Sequence, residues 1–271
     1  MRLIAWNTAG RVAKHPNQVE WLCQQEPDVI ALQEVTARTL DLWRDAQTKM
    51  SHYNYFADSW SLAPDRSILA GPRRYGQVFI SRYPLETQDP GQFPLPWPER
   101  VLSVNIDSPA GPIEAHTTHI PPGSSNGWTK IEMLEGIANR LGQPHQGHRL
   151  LCGDFNMPQE EPPGQDVVYW DMARRKDGSY RRSRKPRWGL GEAGVHEGLA
   201  EHDLGDVCRR LRTPGDEDFS WIPRHGKSTA RRRFDHVYAS ASLPVSAVTY
   251  KHEARTSGLS DHSALCVDFD L

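Results

Sequence analysis

What the chain lacks narrows it first. Cysteine is scarce: Cys23, Cys152, Cys208 and Cys266 lie far apart with no Cys-x-x-Cys pair. That excludes a zinc knuckle and a dithiol redox motif, and reduced structural thiols are the expectation. Histidine is commoner but shows no His-Glu-x-x-His or comparable ligand spacing, so most histidines are expected on the surface or in packing roles. No uninterrupted apolar run approaches the roughly 18 residues of a membrane span. The opening residues MRLIAWNTAG lack the basic and long apolar regions of a secretory signal. A cytoplasmic protein with no membrane partner is expected, and nothing implies an obligate protein partner. Internal repeats and low-complexity tracts are also missing, and the 21 Gly and 21 Pro are scattered rather than gathered into a linker. The reading is one domain over residues 1–271.

What is present is a composition of 37% hydrophobic and 24% charged residues, too apolar for disorder. A formal net charge of −2 argues against indiscriminate binding to polyanions. The average hides an asymmetry. Residues 174–233 carry 16 Lys and Arg against 9 acids, a local +7 that leaves −9 for the rest. The densest parts are ARRKDGSYRRSRKPRW at Ala173–Trp188 and RHGKSTARRRFDH at Arg224–His236, with Tyr180, Trp188 and Trp221 interleaved. Such a mixture can follow a phosphate backbone and stack on bases; alone it reads as a solvated loop whose arginines pair with nearby acids. The dense like charge with Gly, Ser and Pro predicts a mobile loop over about 173–188.

Short β-rich apolar runs predict strands at Leu3–Trp6, Asp28–Leu32, Gln77–Ser81, Val101–Ile106, Ile113–Thr118, Arg149–Cys152, Phe234–Ala239, Val245–Tyr250 and Ala264–Phe269. Helical spacing appears at Asn17–Gln25, Thr36–Lys49 and Trp128–Leu141. The two element types mix without strict alternation. An α/β (α+β) four-layer sandwich, two mixed sheets packed face to face with helices outside, buries the apolar faces of both.

Polar and ionisable residues recur where those strands end: Asn7 after LIAW, Glu34 after VIALQ, His119 after EAHTT, Asp154 and Asn156 after LLCG, Asp235 in RRFDHVY, and Asp261 and His262 in LSDHSAL. Each taken singly reads as a turn or cap residue. Together they supply hard oxygen ligands, imidazoles and carboxamides, the set a divalent-metal phosphodiester hydrolase needs.

The motifs AWN, LQE, GDFN, FDH and SDH follow the order found in the endonuclease/exonuclease/phosphatase superfamily, and the chain resembles it from first strand to last. That resemblance implies a deoxyribonuclease I-like fold. The passage LGDVCRRLRTPGDEDFSW followed by RRRFDHVYAS, and the strand YGQVFISRYPL, are similar to the exonuclease III and AP endonuclease branch. There the Trp of Phe-Ser-Trp lies by the damaged nucleotide, which places Trp221 against substrate, with a packing role as the alternative. The chain also departs from the branch. His119 in HIPPG stands where AP endonucleases have a Tyr, Ser263 and Ala264 follow SDH where the branch has a small residue and Pro, and Arg-Phe-Asp-His replaces Arg-Ile-Asp.

The resemblance and the chemistry together imply roles. Glu34 is the expected ligand of Mg²⁺, for which Mn²⁺ can substitute, with Asn7 assisting directly or through water and Asp261 as a second metal-site carboxylate. His262, oriented by Asp235, accepts the attacking water's proton or holds the phosphate. Asp154 manages a proton on the nucleophile or on the leaving oxygen. Asn156 donates to the phosphate or orients Asp154, and His119 binds or protonates the scissile phosphate. Arg100, ahead of the strand at Val101, is a candidate phosphate contact, with surface packing as the alternative. His236 is expected to face away from Asp235. The implied activity is metal-dependent hydrolysis of DNA of exonuclease III or AP endonuclease type. A phosphatase or phosphodiesterase for a small-molecule or lipid phosphate, and a nucleic-acid-binding protein that has lost catalysis, are the alternatives.

Overall fold

The computed structural model describes residues 1–63, 65–215, 217–223 and 230–271. The chain first lays down β1 (Arg2–Asn7), β2 (Val29–Val35), β3 (Tyr55–Asp58) and β4 (Gly76–Ser81). It then forms β5 (Leu85–Thr87), β6 (Val101–Ser108), β7 (Gly111–His119) and β8 (His148–Asp154). A two-stranded ribbon, β9 (Met172–Arg174) with β10 (Tyr180–Arg182), interrupts the series. β11 (Gly205–Asp206) and β12 (Asp235–Ala239) complete the second sheet, and β13 (Val245–Lys251) and β14 (Ala264–Phe269) return to the first.

Two six-stranded sheets result, ordered β13-β14-β1-β2-β4-β3 and β11-β12-β8-β7-β6-β5. Each contains one parallel pair: β1 with β2, in register from Leu3↔Val29 to Asn7↔Gln33, and β7 with β8, from Ile113↔His148 to His119↔Asp154. Parallel pairing brings the C-terminal ends of both partners to the same rim, the edge where α/β sheets gather ligand sites.

Both faces of each sheet are covered, which is why LIAW and VIAL are continuous apolar runs rather than alternating ones. Side chains alternate with period two. Leu3, Ala5, Val29, Ala31, Ile113, Ala115, Leu150, Cys152, Val237 and Ala239 fill the layer between the sheets. The intervening Ile4, Trp6, Ile30 and Leu32 pack under Trp21, Leu22, Leu40 and Trp43 of the helices His15–Gln25 and Ala37–Gln47. On the other side Leu151 and Tyr238 meet Ile131, Leu134, Ile137, Leu141, Trp188 and Val195 of the helices Thr129–Leu141 and Pro186–His196. Each large apolar side chain buried this way contributes about 1.5–3 kcal/mol. The observed architecture is the four-layer sandwich expected from the sequence, with small shifts at the strand ends.

Two expectations need correction. The segment 173–188 is not a loop: it forms the ribbon and the first turn of the helix Pro186–His196, with Trp188 only 2% exposed. The charge density does not prevent this, because Arg174, Arg175, Lys176 and Arg181 point to solvent while Asp171 holds Arg182 at 3.2 Å and its carbonyl accepts from the Ser183 N–H. In the second basic run, Arg224–Thr229 lie outside the described residues, and Arg233 is buried within an ion-pair network rather than offered to a ligand. Of the histidines, His15, His116, His119, His196, His236 and His262 are buried. The cysteines are free thiols, three of them buried. Among the described residues no helix is long and apolar enough to cross a membrane.

Candidate active site

The parity that fills the core also assembles the site. Along β1 the positions facing the other sheet run Leu3, Ala5, Asn7; along β8 they run Leu150, Cys152, Asp154; along β7 Ile113, Ala115, Thr117, His119; along β12 Ala239, Val237, Asp235. At the rim each apolar series ends in a polar group. Register then sets His119 and Asp235 on either side of Asp154. Gln33, not singled out in the sequence, continues the same row and joins the two sheets by donating to Thr117 Oγ1 at 2.8 Å.

Glu34 breaks the pattern. Simple alternation would turn it with Ile30 and Leu32 toward the helices. Instead Glu34 adopts φ 56°, the pairing with β4 shifts between Leu32 and Val35, and Val35 takes the helix-facing place. This bulge aims the carboxylate at the rim, for a left-handed cost of about 1–2 kcal/mol. Asn156 shows the same device with φ 51°. Gly153, at φ 137°, is required before Asp154 because a Cβ there would lie 2.0 Å from the Thr118 carbonyl oxygen.

A hydrogen-bonded frame fixes the acidic groups. The Asn7 amide donates to Glu34 Oε1 at 3.1 Å and to Asp154 Oδ2 at 2.9 Å. Its oxygen accepts from the Ala9 N–H at 2.9 Å, which sets the amide orientation. Asn7 therefore bridges two carboxylates in this arrangement. The Asn156 backbone N–H donates to Asp154 Oδ1 at 2.9 Å, while the Asn156 carbonyl accepts from Lys130 and Trp170 and its side chain donates to the Ile120 carbonyl. His262 Nδ1 lies 2.7 Å from Asp235 Oδ2, and its Nε2 lies 3.8 Å from Asp154 Oδ2. The turn carrying His262 is tied to β1, since Trp6 Nε1 donates to the His262 carbonyl and Ser260 Oγ to the Asn7 carbonyl.

His119 closes the opposite side, with Nε2 at 3.5 Å from Glu34 Oε1 and 3.8 Å from Asp154 Oδ2. Its Nδ1 receives Arg100 Nη1. Arg100 is 2% exposed, so the surface-packing alternative is wrong, and its two terminal nitrogens are directed at His119 and the Pro72 carbonyl. The short turn Pro98–Arg100 points it inward beneath Tyr75 and Trp97. Asp261 lines the same cleft and lies 3.8 Å from Arg11, outside the two closest ligand groups.

Glu34, His119 and Asp154 bring ligand atoms within 4.8 Å of one another, and so do Asp154, Asp235 and His262. Burial drives Glu34 upward despite the Asn7 bond. Burial also lifts Asp154, with Asp235 adding to the effect against His262 and the hydrogen bonds. Burial alone would discharge His262, yet Asp235 and Asp154 outweigh it and carry its pKa up. His119 moves the other way, held well below the ordinary imidazole value by burial, Arg100 and His262. The rim is thus a set of buried carboxylates in need of positive charge, and a divalent ion that prefers hard oxygen donors fits it.

A cleft of about 860 Å³ opens above these groups. One wall is aromatic: Trp221 stacks on Phe234 at 5.4 Å, and Trp170 lies 6.4 Å beyond. Arg74 and Tyr75 line another part, Arg184 and Trp188 a third. Trp170 and Lys130 were not anticipated, because they sit in a turn and on a helix with no motif to mark them, and Tyr75 and Phe234, at the start of quoted motifs, were not read as site residues.

A second group with metal-like spacing, His196, Asp206 and His236, lies on the opposite face of β12, as expected for His236. Its centre is occupied. Arg233 donates to Asp206 Oδ2 at 2.7 Å and to Glu161 Oε1 at 2.6 Å, and sits 3.3 Å from His196 Nε2.

Fold and site define a class, the deoxyribonuclease I-like α/β sandwich with an acid- and imidazole-bearing rim. Residues 4–262 match the Endonuclease/Exonuclease/phosphatase family, and the chain belongs to that family. No curated protein matches it. Among solved structures it is similar to an AP endonuclease from Archaeoglobus fulgidus, with 17% identity, TM-score 0.73 and all of both chains covered. It is likewise similar to a variant of the 3′ phosphatase NExo from Neisseria bound to product DNA hairpin, at 17% identity and TM-score 0.67 over all of both chains. A humanized D. rerio TDP2 follows at 14% identity and TM-score 0.66, with 100% of this chain and 99% of that one covered.

Proposed function

We propose that the chain is a divalent-metal-dependent phosphodiesterase acting on DNA, of exonuclease III or AP endonuclease type. The observation that carries the reading is the meeting of Glu34, Asp154, His119 and the Asp235–His262 pair on the floor of one cleft. Two features suit nucleic acid: the aromatic wall of Trp221, Phe234 and Trp170 in the cleft, and the exposed cations of the ribbon β9–β10. The similar solved structures include an AP endonuclease and a 3′ phosphatase bound to a product DNA hairpin.

Glu34 and Asp154, with Asp261 across the cleft, would hold the ion, and Asn7 keeps the first two at a fixed separation. Such an ion, Mg²⁺ by the hardness of these donors, would supply charge to a phosphate oxygen and lower the pKa of a bound water. His262 is held charged by Asp235, so it has no lone pair to take a proton and acts by donating to a phosphate oxygen. Asp154, oriented by the Asn156 and Asn7 N–H groups, is then the acceptor of the water's proton. Trp221 offers a stacking face for the nucleotide at the scissile bond.

One experiment separates the readings. The protein is incubated with supercoiled plasmid, linear duplex, single strands, RNA and an abasic duplex, in Mg²⁺ or in EDTA. Cleavage of DNA in Mg²⁺ alone is expected. Hydrolysis of p-nitrophenyl phosphate with every nucleic acid left intact would overturn the DNA reading in favour of a small phosphate substrate.

A further inference from the structure

The two imidazoles of the site are held by partners of opposite kind. His262 Nδ1 faces the Asp235 carboxylate, an acceptor. His119 Nδ1 faces the Arg100 guanidinium, which carries five donors, no acceptor and a permanent charge. That contact exists only if His119 Nδ1 presents its lone pair. The one proton of the ring then sits on Nε2, the nitrogen directed at Glu34, Asp154 and the cleft. A doubly protonated ring would set N–H against N–H with both groups buried, at 3% exposure for His119 and 2% for Arg100.

Arg100 is built in to keep this arrangement. Its second terminal nitrogen donates to the Pro72 carbonyl, its plane lies 5.3 Å from the Tyr75 ring and 5.5 Å from Trp97, and the neighbouring Glu99 is clamped by Arg73 at 2.6 and 2.7 Å. A planar fork fixed at both tips leaves His119 little freedom to turn over.

We propose that Arg100 is a positioning residue which fixes His119 as the neutral Nε2–H tautomer, making it a preset hydrogen-bond donor to a phosphate oxygen rather than an acid that gives up a proton. The inference deepens the phosphodiesterase reading and rests on it for the identity of the acceptor. The positive guanidinium on the far side of the ring polarises the Nε2–H and strengthens its donation.

The test starts from the unaltered protein, labelled with nitrogen-15 in its histidine rings. Two-bond proton–nitrogen spectra, with the His119 signals assigned by their loss in His119→Asn, are expected to show a bare Nδ1 and a protonated Nε2. An imidazolium or an Nδ1–H ring would overturn the proposal, whatever the protein hydrolyses. Activity on abasic duplex then supplies the kinetic arm. Arg100→Met should mix the tautomers and lower kcat about 10–100-fold with KM nearly unchanged, as expected when a reacting group is misplaced. Arg100→Lys, which keeps one donor, should recover part of the loss. Arg100→Met should also add nothing in the His119→Asn background; an equal further loss there would show that Arg100 acts independently of His119 and would sink the proposal. Should Arg100→Met fail to fold, the spectrum of the unaltered protein still decides. A protein with no phosphodiesterase activity but the expected spectrum would instead refute the functional reading alone.

Discussion

Asp235 and His236 are neighbours in β12, and they serve two clusters that look alike in composition and differ in what lies at the centre. Asp235 joins Asp154 and His262 beneath an open cleft. His236 joins His196 and Asp206 around a buried guanidinium, Arg233. Both groups have ligand-like spacing. Only the first has buried carboxylates whose charge is left to histidines and amide donors, and burial accordingly raises Glu34 and Asp154. In the second, burial is outweighed by Arg233, which holds Asp206 and Glu161 far below the usual carboxylate range. Spacing nominates a metal site; the occupant of its centre decides whether an ion is needed.

The sharpest way to break this contrast is to empty the second cluster. Arg233→Met leaves Glu161 and Asp206 buried without their main counter-charge, and should cost about 3–5 kcal/mol in chemical denaturation. A neutral result would mean that the network does not hold the fold. Next comes Asp154→Asn, which should leave the melting temperature near its original value and lower turnover about 10²–10³-fold or more. Turnover at the original rate would remove Asp154 from the chemistry.

The clusters should also answer acid differently. Asp206 and Glu161 have depressed folded pKa values, so their stabilisation is complete above the unfolded values of about 4 and is lost as pH falls below them. The stability difference between the unaltered protein and Arg233→Met should therefore hold from about pH 7 to about pH 5 and then shrink as Asp206 and Glu161 take up protons. The smallest effect is expected at the ribbon. Replacing Arg174, Arg175 and Lys176 by Ala should reduce the salt dependence of DNA binding by up to about 0.9 in the log–log slope for each phosphate no longer neutralised, with kcat unaltered. An unchanged slope would assign phosphate binding to other parts of the surface.

Much of this was legible in the chain because fold and site share one periodicity. LIAW-N, LLCG-D and EAHTT-H read directly as core strands that end in polar residues, and parity places those residues between the sheets. The Asp235–His262 pair followed from the family pattern of FDH and SDH. Glu34 was found by motif, but its aim depends on a bulge that no local propensity encodes. Arg100 looked superficial because its burial is decided by Tyr75 and Trp97 closing over it, and its pairing with His119 reaches from one strand to the next. The helix Pro186–His196 was hidden by the basic run that precedes it. Its weak amphipathic pattern gives no signal, and it is held by packing on the helix Thr129–Leu141, where Gly191 lets Ile131 approach closely.

The claim beneath all of this is that the rim bearing Glu34 and Asp154 binds a divalent ion and the Arg233 cluster does not. Calorimetric titration with Mg²⁺ and Mn²⁺, run on the unaltered protein and on Glu34→Gln, tests it most directly. Saturable binding that weakens at least about tenfold in Glu34→Gln is expected, a loss of about 1.4 kcal/mol or more. Identical isotherms for the two proteins, or no binding to either, would contradict it.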